Sequence, residues 1–317
     1  MKKKESLIII STLLFFFIFI FIYSKEVSQS IIFSISLWKD NLLPSLFPFL
    51  LVSELLIEYG FIDLISSFLG KYMVIFFNLP KESSYAFFTS LFSGFPSGSK
   101  YVKDLLEKKL LTEEEANYLI MFTHYSNPLF IVSTIGILLL NNIKYGYIIL
   151  FSHILSNILV AFIYKKKKKI YNVYNKKELK EHANYLSMNN KIFITVLINA
   201  IWKSFKILLN MLGIIMFFLM ITTIVNKLFN FSPLLKAIIS GLLEMTQGVN
   251  YISKLNLSIN IKSAIIGAMI SFSGLSIHFQ VKSIIETSKI KYKNFLVARI
   301  TQSIICFWLI MIISKIL

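Results

Sequence analysis

Apolar residues in this chain come in runs of about 20, with the polar residues gathered between the runs. A soluble helix needs only one apolar face, so runs that are apolar on every side predict an all-α, polytopic helical membrane protein. The first run, Leu7 to Tyr23, follows the charged start Met1 to Glu5 without a small-residue cleavage site, and reads as an uncleaved signal-anchor span. Leu42 to Tyr59 carries Pro44 and Pro48 near its start. Phe61 to Leu79 is interrupted at Gly70-Lys71 and stopped at Asn78-Leu79-Pro80, which suits an interfacial helix as well as a span.

Tyr85 to Phe95 is too short to cross a bilayer. It runs into Gly94-Phe95-Pro96-Ser97-Gly98-Ser99-Lys100 and then a polar helix, Tyr101 to Lys109, the pattern of a re-entrant hairpin. Thr112 with Glu115 is a capping box opening a helix that breaks at Asn127-Pro128 and resumes to Leu140. Lys144 to Tyr164 is an ordinary span, and Lys165 to Lys191 is a basic stretch placed in the cytoplasm by the positive-inside rule. Four or six crossings before Lys165 satisfy that placement. Further runs lie at Ile192 to Val225, Leu234 to Gly248, Ile259 to Ile277 and Phe295 to Ile316, for six to nine membrane segments in all.

Composition excludes the soluble classes: 56% of residues are hydrophobic and 15% charged, with mean hydropathy +0.70. The net charge of +17 would suggest nucleic acid in a soluble chain, but here the Lys residues flank apolar runs and read as topology signals toward a lipid bilayer. No nucleic-acid partner is expected; a homo-oligomer is left open. One Cys, Cys306, excludes an internal disulfide, and four scattered His residues without acid or Cys neighbours make no metal site. With no HExxH, GxSxG or Walker loop, the expectation is no enzyme and no cofactor.

The chain also repeats itself. Phe92-Ser93-Gly94 recurs as Phe272-Ser273-Gly274 at an offset of 180 (272 minus 92), and Val102-Lys103-x-Leu105-Leu106-Glu107 as Val281-Lys282-x-Ile284-Ile285-Glu286 at 179 (281 minus 102). Trp38-Lys39 and Trp202-Lys203 each read as opening an apolar helix. Two repeats with interrupted helices are the signature of secondary transporters. The partition is a signal anchor at 1–37, repeats at 38–164 and 192–317, and a basic cytoplasmic loop at 165–191.

Broken backbone at membrane depth leaves N–H and C=O groups to be paired by protein, water or ligand. A helix beginning near Ser97 aims free N–H groups at the gap, with Ser97, Ser99 and Lys100 as further donors, which suits an anion; Ser273, Ser276 and His278 sit at the second break. The same small residues also serve close helix packing. His124, Ser126 and Asn127 beside Pro128 are pathway candidates, as are the intramembrane acids Glu244 and Glu54. His153 reads as pathway group or satisfied core histidine.

Ser93 to Lys100, the helix start Thr112 to Ala116, Ser126 to Gly136 and Gly241-Leu242-Leu243-Glu244-Met245-Thr246-Gln247-Gly248 together resemble the YlbJ (stage V sporulation protein V) family of sporulation integral membrane proteins. The likeness runs from Trp38 to the C-terminus. It implies a Gate, or nucleoside-recognition, domain, kinship with concentrative nucleoside transporters, and transport of dipicolinate from the mother cell across the outer forespore membrane. On that reading Gly94, Ser97, Gly98, Ser99 and Lys100 bind one carboxylate and Ser273, Gly274 and Ser276 the other. His124 and Asn127 line the path, with Glu244 and Thr246 orienting or coupling. The alternatives are a carrier of nucleosides or other small metabolites, and a non-transporting protein of spore cortex assembly that recruits partners through residues 165–191.

Overall fold

The computed structural model describes residues 3–165 and 192–316, and within them the chain is helical without strands. The basic loop expected at 165–191 lies outside the described residues but for Lys165. Helices α1 (Lys3–Ile22) and α2 (Ser24–Leu37) meet at a bend of 98° and, with a π-helical turn Trp38–Leu42, lead into α3 (Leu43–Glu58) and α4 (Phe61–Phe77). Pro44 starts α3, where its missing N–H is harmless, and Asn78 in the left-handed region ends α4 at the stop expected from Asn78-Leu79-Pro80. At 16 and 17 residues these two helices are shorter than a full crossing.

Next come α5 (Ser83–Ser93) and α6 (Ser97–Glu107), packed as a hairpin around Gly94, and α7 (Glu113–Leu119), opened by the expected Thr112–Glu115 capping box. Residues 123–127 are non-helical, and a π-helical segment Phe130–Leu139 follows before α8 (Ile143–Ile163). The second half holds α9 (Phe193–Leu228), α10 (Pro233–Leu243), α11 (Met245–Lys254), α12 (Ile259–Phe272), α13 (Gly274–Ile285) and α14 (Tyr292–Ile316). Among the described residues four stretches are long and apolar enough to cross a membrane: α8, α9, the α12–α13 pair over 27 residues, and α14. Large apolar side chains such as Phe21, Phe68 and Leu138 face outward, as suits a lipid surround.

Element order repeats between the halves: a short hairpin (α5–α6; α10–α11), a broken helix (α7 and the π segment; α12–α13), then a continuous span (α8; α14). This corrects the register taken from sequence. Gly98 and Gly248 occupy the same place in the two hairpins, an offset of 150 (248 minus 98), and Tyr101 and Tyr251 keep it. The offset of 180 instead pairs a hairpin tip with the break of a crossing helix, because Phe-Ser-Gly suits any helix end. Trp202-Lys203 does not open a helix either; it lies inside α9, whose apolar run begins at Phe193.

One core joins hairpins, broken helices, α8 and α14; a second, built on Leu46, Leu50, Leu208 and Met211, seats α3 against α9. At the end where α6 finishes, Asn117 accepts from Lys291 N at 2.7 Å and Asn294 Nδ2 at 3.1 Å, tying the halves together. Beside it Lys289 pairs with Glu113 at 2.5 Å, which holds the exposed ammonium above its ordinary pKa.

Candidate functional site

Four breaks meet in the core. A methyl group on Gly94 would stand 3.0 Å from Asn127 N, and one on Gly274 would stand 3.0 Å from Met245 N, so each hairpin tip lies on the break of its neighbouring helix. His124 Nε2 is 2.9 Å from Ser273 Oγ and joins the two broken helices. Ser273 sits in the left-handed region at φ 81°, a conformation that costs a non-glycine residue about 1 kcal/mol or more and is kept by its surroundings. Its hydroxyl donates to Ile270 O at 2.9 Å, so it accepts from His124 Nε2–H, and His124 Nδ1 is left an acceptor without a partner.

Unwinding residues 123–127 strips helical partners from the carbonyls before them and the N–H groups after them. Asn157 on α8 donates to Phe122 O at 3.0 Å and His124 O at 3.1 Å. Arg299 on α14, fully buried, sends Nη2 to Met121 O and, at 3.0 Å, to Asn157 Oδ1; Nη1 reaches Gln302 Oε1 and lies 3.4 Å from His124 O. On the other side Ser126 N–H donates to His153 Nε2 at 3.0 Å, and Leu129 N–H to Asn127 Oδ1 at 2.8 Å. His153 therefore carries its proton on Nδ1, toward Ser271 Oγ at 3.0 Å. In the second half His278 Nε2–H donates to Phe272 O at 2.9 Å. The breaks are thus wired to side chains of the crossing spans.

Between the breaks and the α3–α9 pair lies a narrow cleft of about 40 Å³. Phe95, Phe130, Met211 and Ile277 give it apolar walls; Gly94, Ser126, Asn127, Glu244, Thr246 and Gln280 give it polar atoms. Ser126 Oγ and Gln280 Oε1 are buried without a protein partner. Glu244 caps α11 by accepting from Gln247 N–H at 3.1 Å and from the Thr246 hydroxyl, and among the described residues it is the only ionisable one in the lining.

Of the residues expected from sequence, Gly94, Ser126, Asn127, Glu244 and Thr246 share this cleft. Ser97, Gly98, Ser99, Lys100, His124, Ser273, Gly274 and Ser276 stand behind it. Ser97 N–H and Ser99 N–H bond Gly94 O and Pro96 O, Ser99 Oγ donates to Pro96 O at 2.6 Å, and Lys100 turns to Glu54 and Asp104. Gln280, Asn157, Gln302 and Arg299 were not anticipated. Arg299 had a readable signal: it is the single Arg of the chain and lies in an apolar run, where an ionised side chain is costly unless it works.

Residues 41–144, which hold the first hairpin and the first broken helix, match the Gate family, described as nucleoside recognition. The sporulation integral membrane protein YlbJ of Bacillus subtilis (strain 168) is 26% identical over 99% of this chain and 84% of its own length. No solved structure matches the chain. A YlbJ-like membrane protein with a Gate domain fits both the apolar helices and the broken ones, and neither likeness is to an enzyme family.

Proposed function

We propose that this chain is a sporulation-associated carrier whose two halves, residues 38–164 and 192–317 behind the anchor 1–37, move dipicolinate from the mother cell across the outer forespore membrane. The reading rests on one observation above all: the breaks of both halves converge on a cleft with unpartnered buried polar atoms. Such atoms cost about 1–3 kcal/mol each when unpaired, and a solute that bonds them recovers the cost while bound. Apolar walls on either side suit the faces of a flat ring once α3 and α9 part from the breaks to widen the cleft from about 40 Å³.

A dicarboxylate entering beside Glu244 brings like charges together, and a proton shared between them removes the repulsion. Glu244 then carries a proton with each dicarboxylate. A nucleoside is the second reading, favoured by the uncharged polar lining of Asn127, Thr246 and Gln280 and by the Gate match.

Ligand-induced thermal stabilisation in detergent separates them, using dipicolinate, isophthalate as a ring dianion without the ring nitrogen, and uridine. Dipicolinate is expected to stabilise the protein, less so as pH rises, since proton and dianion bind together. Glu244→Gln is expected to keep that stabilisation and flatten its pH dependence. Stabilisation by uridine alone, weakened about tenfold in affinity by Glu244→Gln, would establish the nucleoside reading instead. A folded protein that answers to none of the three would favour the cortex-assembly role.

A further inference from the structure

Glu54 and Lys100, both singled out in the sequence, take no part in the central cleft. Lys100 Nζ bonds the Glu54 carboxylate and lies 2.8 Å from Asp104 Oδ2, while Lys203 Nζ on α9 is 3.5 Å from Glu54 Oε2 and 3.7 Å from Glu58 Oε1. Glu54 is 5% exposed, Lys100 17% and Lys203 55%, so the pair Glu54–Lys100 is inside and Lys203 is at the rim. Glu54, Glu58 and Lys203 border a second cavity of about 550 Å³, lined also by Thr195, Asn199 and Trp202 among others.

The two cavities follow one another along the α3–α9 seam. Leu46 and Met211 line the central cleft; Glu54 and Lys203 line the second cavity, eight residues further along each helix (54 minus 46; 211 minus 203), or about 12 Å of helix. The seam between is closed by Leu50 and Leu208, both buried, by Ser204, and by Tyr101 donating to Ser53 Oγ at 3.0 Å. Tyr101 and Lys100 stand on α6, whose hairpin turns at Gly94 in the wall of the central cleft. A tilt of α6 about that turn therefore moves both the septum and the cleft.

We propose that the Glu54–Lys100 pair, with Leu50 and Leu208, is a gate between the central cleft and a charged vestibule, and that Lys203 receives a carboxylate-bearing solute there. Lys203 is the exposed cation and its contacts with Glu54 and Glu58 are long, so an arriving carboxylate meets it first and competes with Glu54 for it. Drawing Lys203 away from Glu54 loosens the cluster that anchors α6 to α3. The proposal rests on the carrier reading above, yet the gate itself can be tested without any solute.

The test places single reporter cysteines in the full chain with Cys306→Ser: Met211→Cys in the central cleft and Thr195→Cys in the vestibule. A membrane-impermeant methanethiosulfonate is added from the face at which α6 ends. Thr195→Cys is expected to react quickly in every background and Met211→Cys slowly. Glu54→Gln or Lys100→Met is expected to speed Met211→Cys at least tenfold, the two together no more than either alone, and Lys100→Arg, which keeps the pair, not at all. Isophthalate is expected to shield Thr195→Cys, and Lys203→Met to abolish the shielding. An unchanged Met211→Cys rate in monodisperse Glu54→Gln and Lys100→Met proteins overturns the gate; absence of shielding overturns the receiving role. Failure of the carrier reading shows separately, as a central cleft that binds no solute while the labelling pattern stands.

Discussion

Arg299→Met is expected to lower the apparent Tm by about 10 °C, the effect of roughly 3–5 kcal/mol in a chain of this size. The guanidinium serves Met121 O, Asn157 Oδ1, Gln302 Oε1 and His124 O in a fully buried position, and these acceptors lose their donor together. Asn157 still covers Phe122 O and His124 O through its amide, which limits the damage to part of the break. Arg299→Lys is expected to recover less than half of the loss, because one compact ammonium cannot span acceptors on two helices and the unwound segment as the planar fork does. Thermal melts of the purified proteins, with Trp308→Phe on the exposed face of the same helix as control, check both. Melting of Arg299→Met within 2 °C of the parent would show that the unwound segment does not depend on it.

Gly98→Ala is expected to be nearly as damaging and to act on the cleft as well. A methyl group there would stand 1.7 Å from Thr123 O, with Ser90 Cβ at 3.2 Å on the other side, so α6 cannot keep its place. Overpacking of this kind costs about 1–3 kcal/mol, and the displaced helix carries Gly94 away from Asn127. Solute affinity should fall at least tenfold. Gly213→Ala, at a helical site with nothing within 4 Å, should be neutral or slightly stabilising. Equal behaviour of the two variants in melting and in ligand binding would remove the close approach from the account.

Local features were legible in the sequence. The apolar runs, the Thr112 capping box, the stop at Asn78 and the breaks at Gly94 and Asn127-Pro128 are decided by residues within a turn of each other. So were five lining residues, Gly94, Ser126, Asn127, Glu244 and Thr246, because breaks and intramembrane acids announce themselves. What stayed hidden depends on partners far away in the chain: Arg299 meets Met121, and Asn157 meets Phe122, only because α8 and α14 cross behind the break. Lys100 reads as a donor at a helix start, and which way its flexible stem turns was decided by Glu54 on α3. The repeat register slipped for a related reason, since short matches in a Phe-, Ile- and Lys-rich chain do not separate a hairpin tip from a helix break.

The most direct measurement is saturation binding of labelled dipicolinate to the purified full chain, beside the variants Asn127→Ala and Gln280→Leu. Both side chains line the cleft; Asn127 also donates to Phe92 O at 3.4 Å and accepts from Leu129 N–H at 2.8 Å, so a thermal melt of each variant establishes that it is folded before binding is read. We expect saturable binding to the parent, weakened about tenfold or more in each variant, since a lost hydrogen bond in a desolvated site is worth roughly 1.5 kcal/mol. Undiminished binding in both variants, or no saturable binding of dipicolinate or uridine by the folded parent, would contradict a solute site at the meeting point of the breaks.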